Sequence, residues 1–523
     1  EEQISSAMEA AMANMKFQPN ASQQESVVWA LKRKVALIRG PPGTGKTRVA
    51  ALLISTALKM NLKQKLKEGE NDENDEGETT HAPRILAVTH SNGAADVLTQ
   101  ALLDMNVPAV RAGRPASVSP SIQHRTIAAL SERMPEAKRL RAQAGDVTLD
   151  SQTRQSAFYD AAKATRDAQA VIARTAPIVV ASCIGAQQLL ASLGEGKDDE
   201  SPFPIVVLDE AGQTTEPALI TALAAAKARQ VILVGDTKQL TPTVTTQDAE
   251  LRKTIGVSPM ERLLDNGIDE FSLKFQYRMP ASLLIHPNNY FYGGVVNCAT
   301  TDGINSNPPP PNGFVWPSPK KEPLAFIEMG NDSEVAHNFG GRSNPKEVTM
   351  IVGIVQKIIA AGDVDAEDIA IITPYGKQVQ LFRTELSNAS LIHGPKIADV
   401  NVGTVDSFQG QETDLVIFSA VRSNRMKELG FLRDERRLNV AITRAKRGLI
   451  VVGDPTVLRT CKHWTALLDN CRDRGCALTE KEYKTRCSSD AMVVKASQKR
   501  KIDLSDLELD MDDEFFGLFS GPE

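Results

Sequence analysis

Cysteine is scarce, with six in 523 residues, and the chain opens on no basic-then-apolar leader pattern. Together these point to a reducing compartment and free thiols, not a disulfide framework. The last four, Cys461, Cys471, Cys476 and Cys487, are irregularly spaced with His463 nearby, which suits packing better than a zinc site. Long apolar runs are missing as well. The one uncharged stretch of membrane length, Thr175 to Gly194, is interrupted by Pro177, Ser182, Gln187 and Gln188 and reads as a strand followed by a helix, so no membrane span is predicted. Positive charge is not in excess either, since the net charge is −5. Yet two runs, Glu68 to Glu78 and Asp503 to Glu514, hold seven carboxylates each and no Lys or Arg, which leaves the rest of the chain net positive by nine. Such runs read as solvated, disordered segments, and the basic remainder permits a phosphate-backbone partner.

What is present is an alternation of strand-like and helix-like stretches. Apolar runs fall at Val35 to Ile38, Ile85 to Val88, Ile178 to Ala181, Ile205 to Leu208 and Val231 to Val234, and a second series at Ala325 to Ile327, Ile369 to Ile372, Leu415 to Ser419 and Leu449 to Val452. The pattern predicts an α/β fold of two doubly wound parallel-sheet domains. The first is expected over 17–270, with a helical insertion at about 131–174 and an acidic loop at 68–78. The second is expected over 271–465, entered through a crossover at Phe271 to Pro280 and carrying a proline-rich loop at Asn305 to Pro319. The remainder, 466–523, reads as a mostly disordered extension with a Lys499-Arg500-Lys501 cluster ahead of its acidic tail.

Between the first strand and a helix-like Val49 to Leu58 lies Gly40-Pro41-Pro42-Gly43-Thr44-Gly45-Lys46-Thr47, followed by Arg48. A strand, a glycine loop and a helix meeting at one point make a phosphate-binding loop. Backbone N–H groups and the helix N-terminus face the phosphates, Lys46 can reach the β and γ groups, and Thr47 can ligate Mg²⁺. Hydrolysis needs further groups. Asp209 and Glu210 follow the run Ile205 to Leu208, where strand ends place residues beside the loop; Asp209 would organise Mg²⁺ and Glu210 would be the general base. Gln239, after the next strand, could touch both the attacking water and the γ-phosphate. Upstream, Asn20 and Gln23 stand where an amide can meet the adenine edge with a paired donor and acceptor. Arg278 and Arg444, both assigned to the second half, would neutralise transition-state charge. A guanine-reading [Asn/Thr]-Lys-x-Asp motif is absent, because Thr237-Lys238-Gln239-Leu240 ends in leucine, which argues against a signalling GTPase.

In order, Gln23, GPPGTGKT, ILAVTHSN (Ile85 to Asn92), DEAGQTTEP (Asp209 to Pro217), GDTKQLTP (Gly235 to Pro242), QYRMP (Gln276 to Pro280), VGTVDSFQGQE (Val402 to Glu412) and RRLNVAITRAK (Arg436 to Lys446) resemble the motif series of superfamily 1 helicases, in particular the up-frameshift branch. The resemblance covers Gln18 to Asp454. It implies two RecA-like domains, with Gln23 recognising adenine, Tyr277 stacking on the base and Glu412 contacting ribose. Lys46, Thr47, Asp209, Glu210, Gln239, Arg278 and Arg444 would form the hydrolytic centre. Ser91, Asn92, Ser182, Thr373, Pro374, Thr404 and Ser407 would line a single-strand path through phosphate and sugar contacts, and movement would be 5′-to-3′. About twenty residues precede Gln23, so the zinc module and small β-barrel that the up-frameshift member carries there are not expected, and Pro280 stands where the branch has a His after QYRM.

The expectation is therefore an ATP- and Mg²⁺-dependent monomeric motor, intracellular, acting on single-stranded RNA or DNA, with RNA favoured. A nucleic-acid clamp gated by ATP without unwinding is the alternative. The choice between RNA and DNA stays open, because phosphate contacts and stacking do not read the 2′-hydroxyl.

Overall fold

The computed structural model describes residues 1–13, 15, 18–69, 84–192, 203–246, 248–299, 309–330 and 332–487. The acidic loop, apart from its first residues in a helix, and the tail from 488 onward lie outside them, as do residues 305–308 at the head of the proline-rich loop. The chain divides into two compact units, Glu1–Asn307 with Gln409–Glu412 and Asp434–Thr443, and Pro308–Phe408 with Thr413–Arg433 and Arg444–Glu523.

Unit 1 is built on seven strands: β1 (Val35–Arg39), β2 (Ile85–Thr89), β3 (Ala109–Arg111), β4 (Ile178–Ser182), β5 (Ile205–Asp209), β6 (Gln230–Gly235) and β7 (Glu270–Ser272), all parallel, in the order β3-β4-β2-β5-β6-β1-β7. Central strands of such a sheet are covered on both faces, so they read as unbroken apolar runs. The period of two still sorts the residues. Ala36, Ile38, Ile85, Ala87, Val207, Ile232 and Val234 enter one core with the helix that follows the phosphate loop, whereas Leu37, Leu86, Val88, Val206, Leu208 and Leu233 enter the other. Chain order reverses at β1, which has β6 on one side and β7 on the other. Ligands of open α/β sheets bind at the carboxyl ends of strands at that point.

Between β3 and β4 the chain forms helices Ile127–Glu132, Pro135–Gly145 and Ser151–Thr175, the last capped by Asp150, which accepts from the N–H groups of Gln152 and Thr153. The short edge strands β3 and β7 carry too few apolar residues to be legible in the sequence.

The large sheet of unit 2 has six strands, β8 (Leu324–Glu328), β9 (Ile369–Thr373), β10 (Asn401–Thr404), β11 (Thr413–Ser419), β12 (Ala445–Gly453) and β13 (Ala477–Thr479), parallel, in the order β10-β9-β11-β12-β8-β13. One core gathers Ile327, Ile351, Val355, Phe382, Ile417 and Ile450.

Two expected boundaries move. The first domain does not end at 270, because β7 pairs with β1 and the N–H of Tyr277 donates to the Gly43 carbonyl, which seats the Gln276–Met279 turn on the phosphate loop. Arg278 therefore belongs to unit 1. The second does not end at 465, because helix Lys462–Asp473 buries Trp464, Leu467, Leu468 and Cys471, and β13 pairs with β8.

Candidate active site

Parallel register sets the site. It aligns Ser182 with Thr89, Thr89 with Asp209, Asp209 with Val234 and Val234 with Ile38, so the loop after β1, the acidic pair after β5 and the polar turn after β6 leave the sheet at one level. The loop is tied to that edge by the Gly40 N–H, which donates to the Gly235 carbonyl at 2.9 Å. Its glycines are required. Gly43 and Gly45 have φ of +75° and +79°, and a Cβ on Gly43 would stand 2.8 Å from Cβ of Arg278. Thr44 is fully buried and closes the loop by donating its hydroxyl to the Pro41 carbonyl, and buried Pro41 and Pro42 stiffen the entry. Lys46 and Thr47 open the helix Lys46–Gly69 and Arg48 is exposed beside them.

The Thr47 hydroxyl donates to Asp209 Oδ2 at 2.7 Å, and Lys46 Nζ donates to the Gly40 carbonyl at 2.9 Å. Asp209 is 1% exposed. Burial, and then the charge of Glu210, push its carboxyl up to about 6, against the Thr47 hydrogen bond and the Lys46 charge. Glu210 sits in the left-handed region, φ 57° and ψ 42°, with its N–H donating to Asp209 Oδ1 and its Oε2 accepting from Gln213 Nε2. That conformation is costly for a side chain with a Cβ, of order 1 kcal/mol. Burial lowers the basicity of His90, and the Glu210 charge opposes this, which places the imidazole within electrostatic reach of the carboxylate.

Gln239, 4% exposed, donates Nε2 to Asp236 Oδ2 at 2.7 Å, and the same oxygen accepts the Tyr292 hydroxyl at 2.8 Å. Asn439 Nδ2 donates to that hydroxyl and to the Lys238 carbonyl. Gln276 clamps the following turn, Oε1 accepting the N–H groups of Arg278 and Met279 while Nε2 donates to the Met279 carbonyl. Arg278 donates through Nε to Glu412 Oε2 at 2.8 Å and through Nη1 to the Thr443 carbonyl at 2.9 Å. The two residues assigned to γ-phosphate and ribose are thus joined directly. Gln23 donates Nε2 to the Thr44 carbonyl, and Asn20 Nδ2 donates to the Tyr277 hydroxyl.

Arg444 lies in unit 2 and is 2% exposed, and its backbone carbonyl accepts the Thr413 N–H. The residues assigned to a strand path fall at carboxyl edges within each unit. In unit 1, Ser91 caps helix Asn92–Asp104, the Ser182 hydroxyl accepts the Gly185 N–H, and exposed Asn92 is held through Oδ1 by Arg111 Nη2. In unit 2, Thr373 pairs in register with Thr404, and Ser407 donates its hydroxyl to the Thr404 carbonyl. Thr373 departs from the expectation. It is wholly buried and its hydroxyl has no partner among the described residues, so Pro374, partly exposed, is the accessible residue of that pair.

Arg111, Asp236, Tyr292 and Asn439 were not singled out by the sequence pattern. Arg111 is fully buried in β3 and bonded to Asp96, fifteen positions earlier, a burial and pairing that no local sequence signal marks. The cysteines behave as packing thiols. None of the six is in a disulfide among the described residues, burial pushes Cys476 up to about 11 and Cys471 higher still, and the Cys461 Sγ lies 3.2 Å from His463 Nδ1.

A phosphate loop, a buried aspartate bonded to its threonine and a neighbouring glutamate on the same sheet edge make the arrangement of a P-loop domain. Two family models, each described as an AAA domain, match residues 18–169 with 141–247, and 255–456. Among curated proteins, the chain is 33% identical over 467 residues to the "Regulator of nonsense transcripts 1 homolog" of Drosophila melanogaster, covering 87% of this chain and 36% of that protein. It is 33% identical over 470 residues to the "ATP-dependent helicase NAM7" of Saccharomyces cerevisiae, covering 88% and 44%. With "ATP-dependent helicase upf1" of Schizosaccharomyces pombe it shares 31% over 469 residues, covering 87% and 47%. The chain spans less than half the length of each. A solved structure described as "The structure of PRRSV helicase" aligns at TM-score 0.35 and 14% identity over 84% of this chain and 56% of that one, too loose a likeness to argue from. The chain belongs to the superfamily 1 helicases of the up-frameshift type.

Proposed function

We propose that this chain is an ATP-dependent helicase or translocase that moves 5′-to-3′ on single-stranded nucleic acid, RNA in preference to DNA. The observation that carries the reading is the Thr47–Asp209 hydrogen bond at 2.7 Å with Lys46 and Glu210 on either side. The phosphate loop, the Mg²⁺ ligands and the general base proposed for phosphoryl transfer to water then share one sheet edge. Oxygen donors of this kind, a hydroxyl and a carboxylate, suit Mg²⁺. Thr47 and Asp209 would hold it, and when bound it neutralises phosphate oxygens. Glu210 takes the proton of the attacking water, Gln239 orients that water, Gln23 reads the base and Tyr277 stacks on it. Arg278 and Arg444 stabilise the developing charge. The names of the relatives, two of them ATP-dependent helicases, support the same activity.

Oligonucleotide-stimulated ATP hydrolysis and displacement of a paired strand test this. Lys46→Ala and Glu210→Gln are each expected to abolish both. Persistence of strand binding together with an ATP-gated function in these variants would instead favour a clamp that needs no hydrolysis. Matched RNA and DNA oligonucleotides, compared across salt, decide the preferred polymer.

A further inference from the structure

Three segments far apart in the chain close into one hydrogen-bonded ring in unit 1. The N–H of Asn20 donates to Gln23 Oε1 at 3.0 Å and the N–H of Gln23 donates to Asn20 Oδ1 at 2.9 Å, a reciprocal cap on helix Ala21–Leu31. Gln23 Nε2 donates to the Thr44 carbonyl at 3.0 Å, in the phosphate loop. The N–H of Tyr277 donates to the adjacent Gly43 carbonyl at 2.9 Å. Asn20 Nδ2 completes the ring by donating to the Tyr277 hydroxyl at 2.6 Å.

This ring constrains both groups that meet a base. The amide of Gln23 is held in one orientation, oxygen toward the Asn20 N–H and nitrogen toward the Thr44 carbonyl, and a flip would forfeit both bonds. One lone pair on Oε1 and one N–H on Nε2 remain. Adenine offers an N6 donor beside the N7 acceptor and matches that pair, whereas guanine offers O6 and N7, two acceptors, and sets oxygen against oxygen. The selectivity requires the base to lie in the plane of that amide. Tyr277 sets the plane, is 39% exposed as a residue, and has the far end of its ring tethered by Asn20.

The geometry points to Asn20 as a positioning residue for nucleotide selection: its side chain ties the stacking tyrosine to the base-reading glutamine and so sustains preference for ATP over GTP. This rests on the ATPase reading above and adds a residue to it.

Asn20→Ser separates the two tasks of the side chain, since serine caps a helix well but is too short to reach the Tyr277 hydroxyl. Tyr277→Phe removes the hydroxyl and keeps the ring. In steady-state hydrolysis with saturating oligonucleotide, each variant is expected to raise the KM for ATP about three- to tenfold with kcat within about twofold. The KM for GTP should change less than twofold, so the ATP-to-GTP ratio of kcat/KM falls by a similar factor. The double variant should be no worse than either single one, because both cut the same bond. Additive losses, equal losses for ATP and GTP, or an unchanged ratio in both folded variants would each overturn the proposal while leaving the ATPase reading intact. Absence of hydrolysis in the wild-type chain would overturn both.

Discussion

Glu210 shows how much one residue carries at this edge. Its left-handed backbone aims its N–H at Asp209 and its carboxylate toward Gln213, at a conformational cost that only glycine avoids. Glu210→Gly is therefore expected to be more stable than Glu210→Ala by about 1 kcal/mol in denaturant melts, with hydrolysis lost in both by at least ~10²-fold. Equal stability would show that the backbone at 210 is unstrained. Asp236 is the opposite case, a buried carboxylate, 3% exposed, that accepts from Gln239, Tyr292 and the Lys238 N–H. Asp236→Ala removes the acceptor of three hydrogen bonds and should destabilise unit 1 by roughly 2–4 kcal/mol, and kcat should fall because Gln239 loses its Asp236 contact. A kcat unchanged in the folded variant would mean that Gln239 does not handle the water.

Among elements, the phosphate loop and the Gln276–Met279 turn behave as one piece. The positive φ of Gly43 and its approach to Arg278 leave no room for a methyl group. Gly43→Ala should raise the KM for ATP about tenfold or more and weaken the Tyr277 N–H bond to residue 43, which hydrogen exchange at Tyr277 reports. Protection that survives the substitution would show that the turn stands without the loop. These elements also mark the limit of sequence reading. The loop was legible because its chemistry is backbone chemistry, spelled out by glycines, a proline pair and Lys46-Thr47 in eight consecutive residues. The membership of Arg278 in unit 1 was not legible, because the contact that fixes it, Tyr277 to Gly43, joins segments with no shared local signature. Strands β1, β2, β4, β5 and β6 announced themselves as buried apolar runs, whereas β3 and β7, three residues each at or near a sheet edge, did not.

At the scale of the molecule, stability should depend on pH through Glu347. This fully buried carboxyl of unit 2 accepts from the Ser419 hydroxyl, the Val421 N–H and Asn344 Nδ2. Burial raises it from an ordinary value of 4.5 to about 8, with Asp454 and Glu334 adding to the rise and the Ser419 and Val421 hydrogen bonds opposing it. The folded form then holds a proton that the unfolded form releases above about pH 4.5. Its stabilising contribution is complete below about 4.5 and lost as pH climbs through about 8. Glu347→Gln should flatten the melting temperature of unit 2 across that window; an unaltered slope would place the pH dependence elsewhere. A second molecular-scale expectation concerns Arg444. Arg444→Ala should lower kcat by ~10²-fold or more with little change in the KM for ATP, the signature of a group that acts in the transition state.

The sequence alone determined two parallel α/β sheets, the phosphate loop, the acidic pair after β5 and the family, because each is written in residues close together along the chain. Tertiary structure decided the rest: the Asn20–Tyr277 tether across 257 positions, the Arg278–Glu412 pair across 134, and the strain at Glu210. Side-chain partnerships of that range arise only once sheet register and loop closure have brought distant segments within hydrogen-bonding reach, and no local periodicity encodes them.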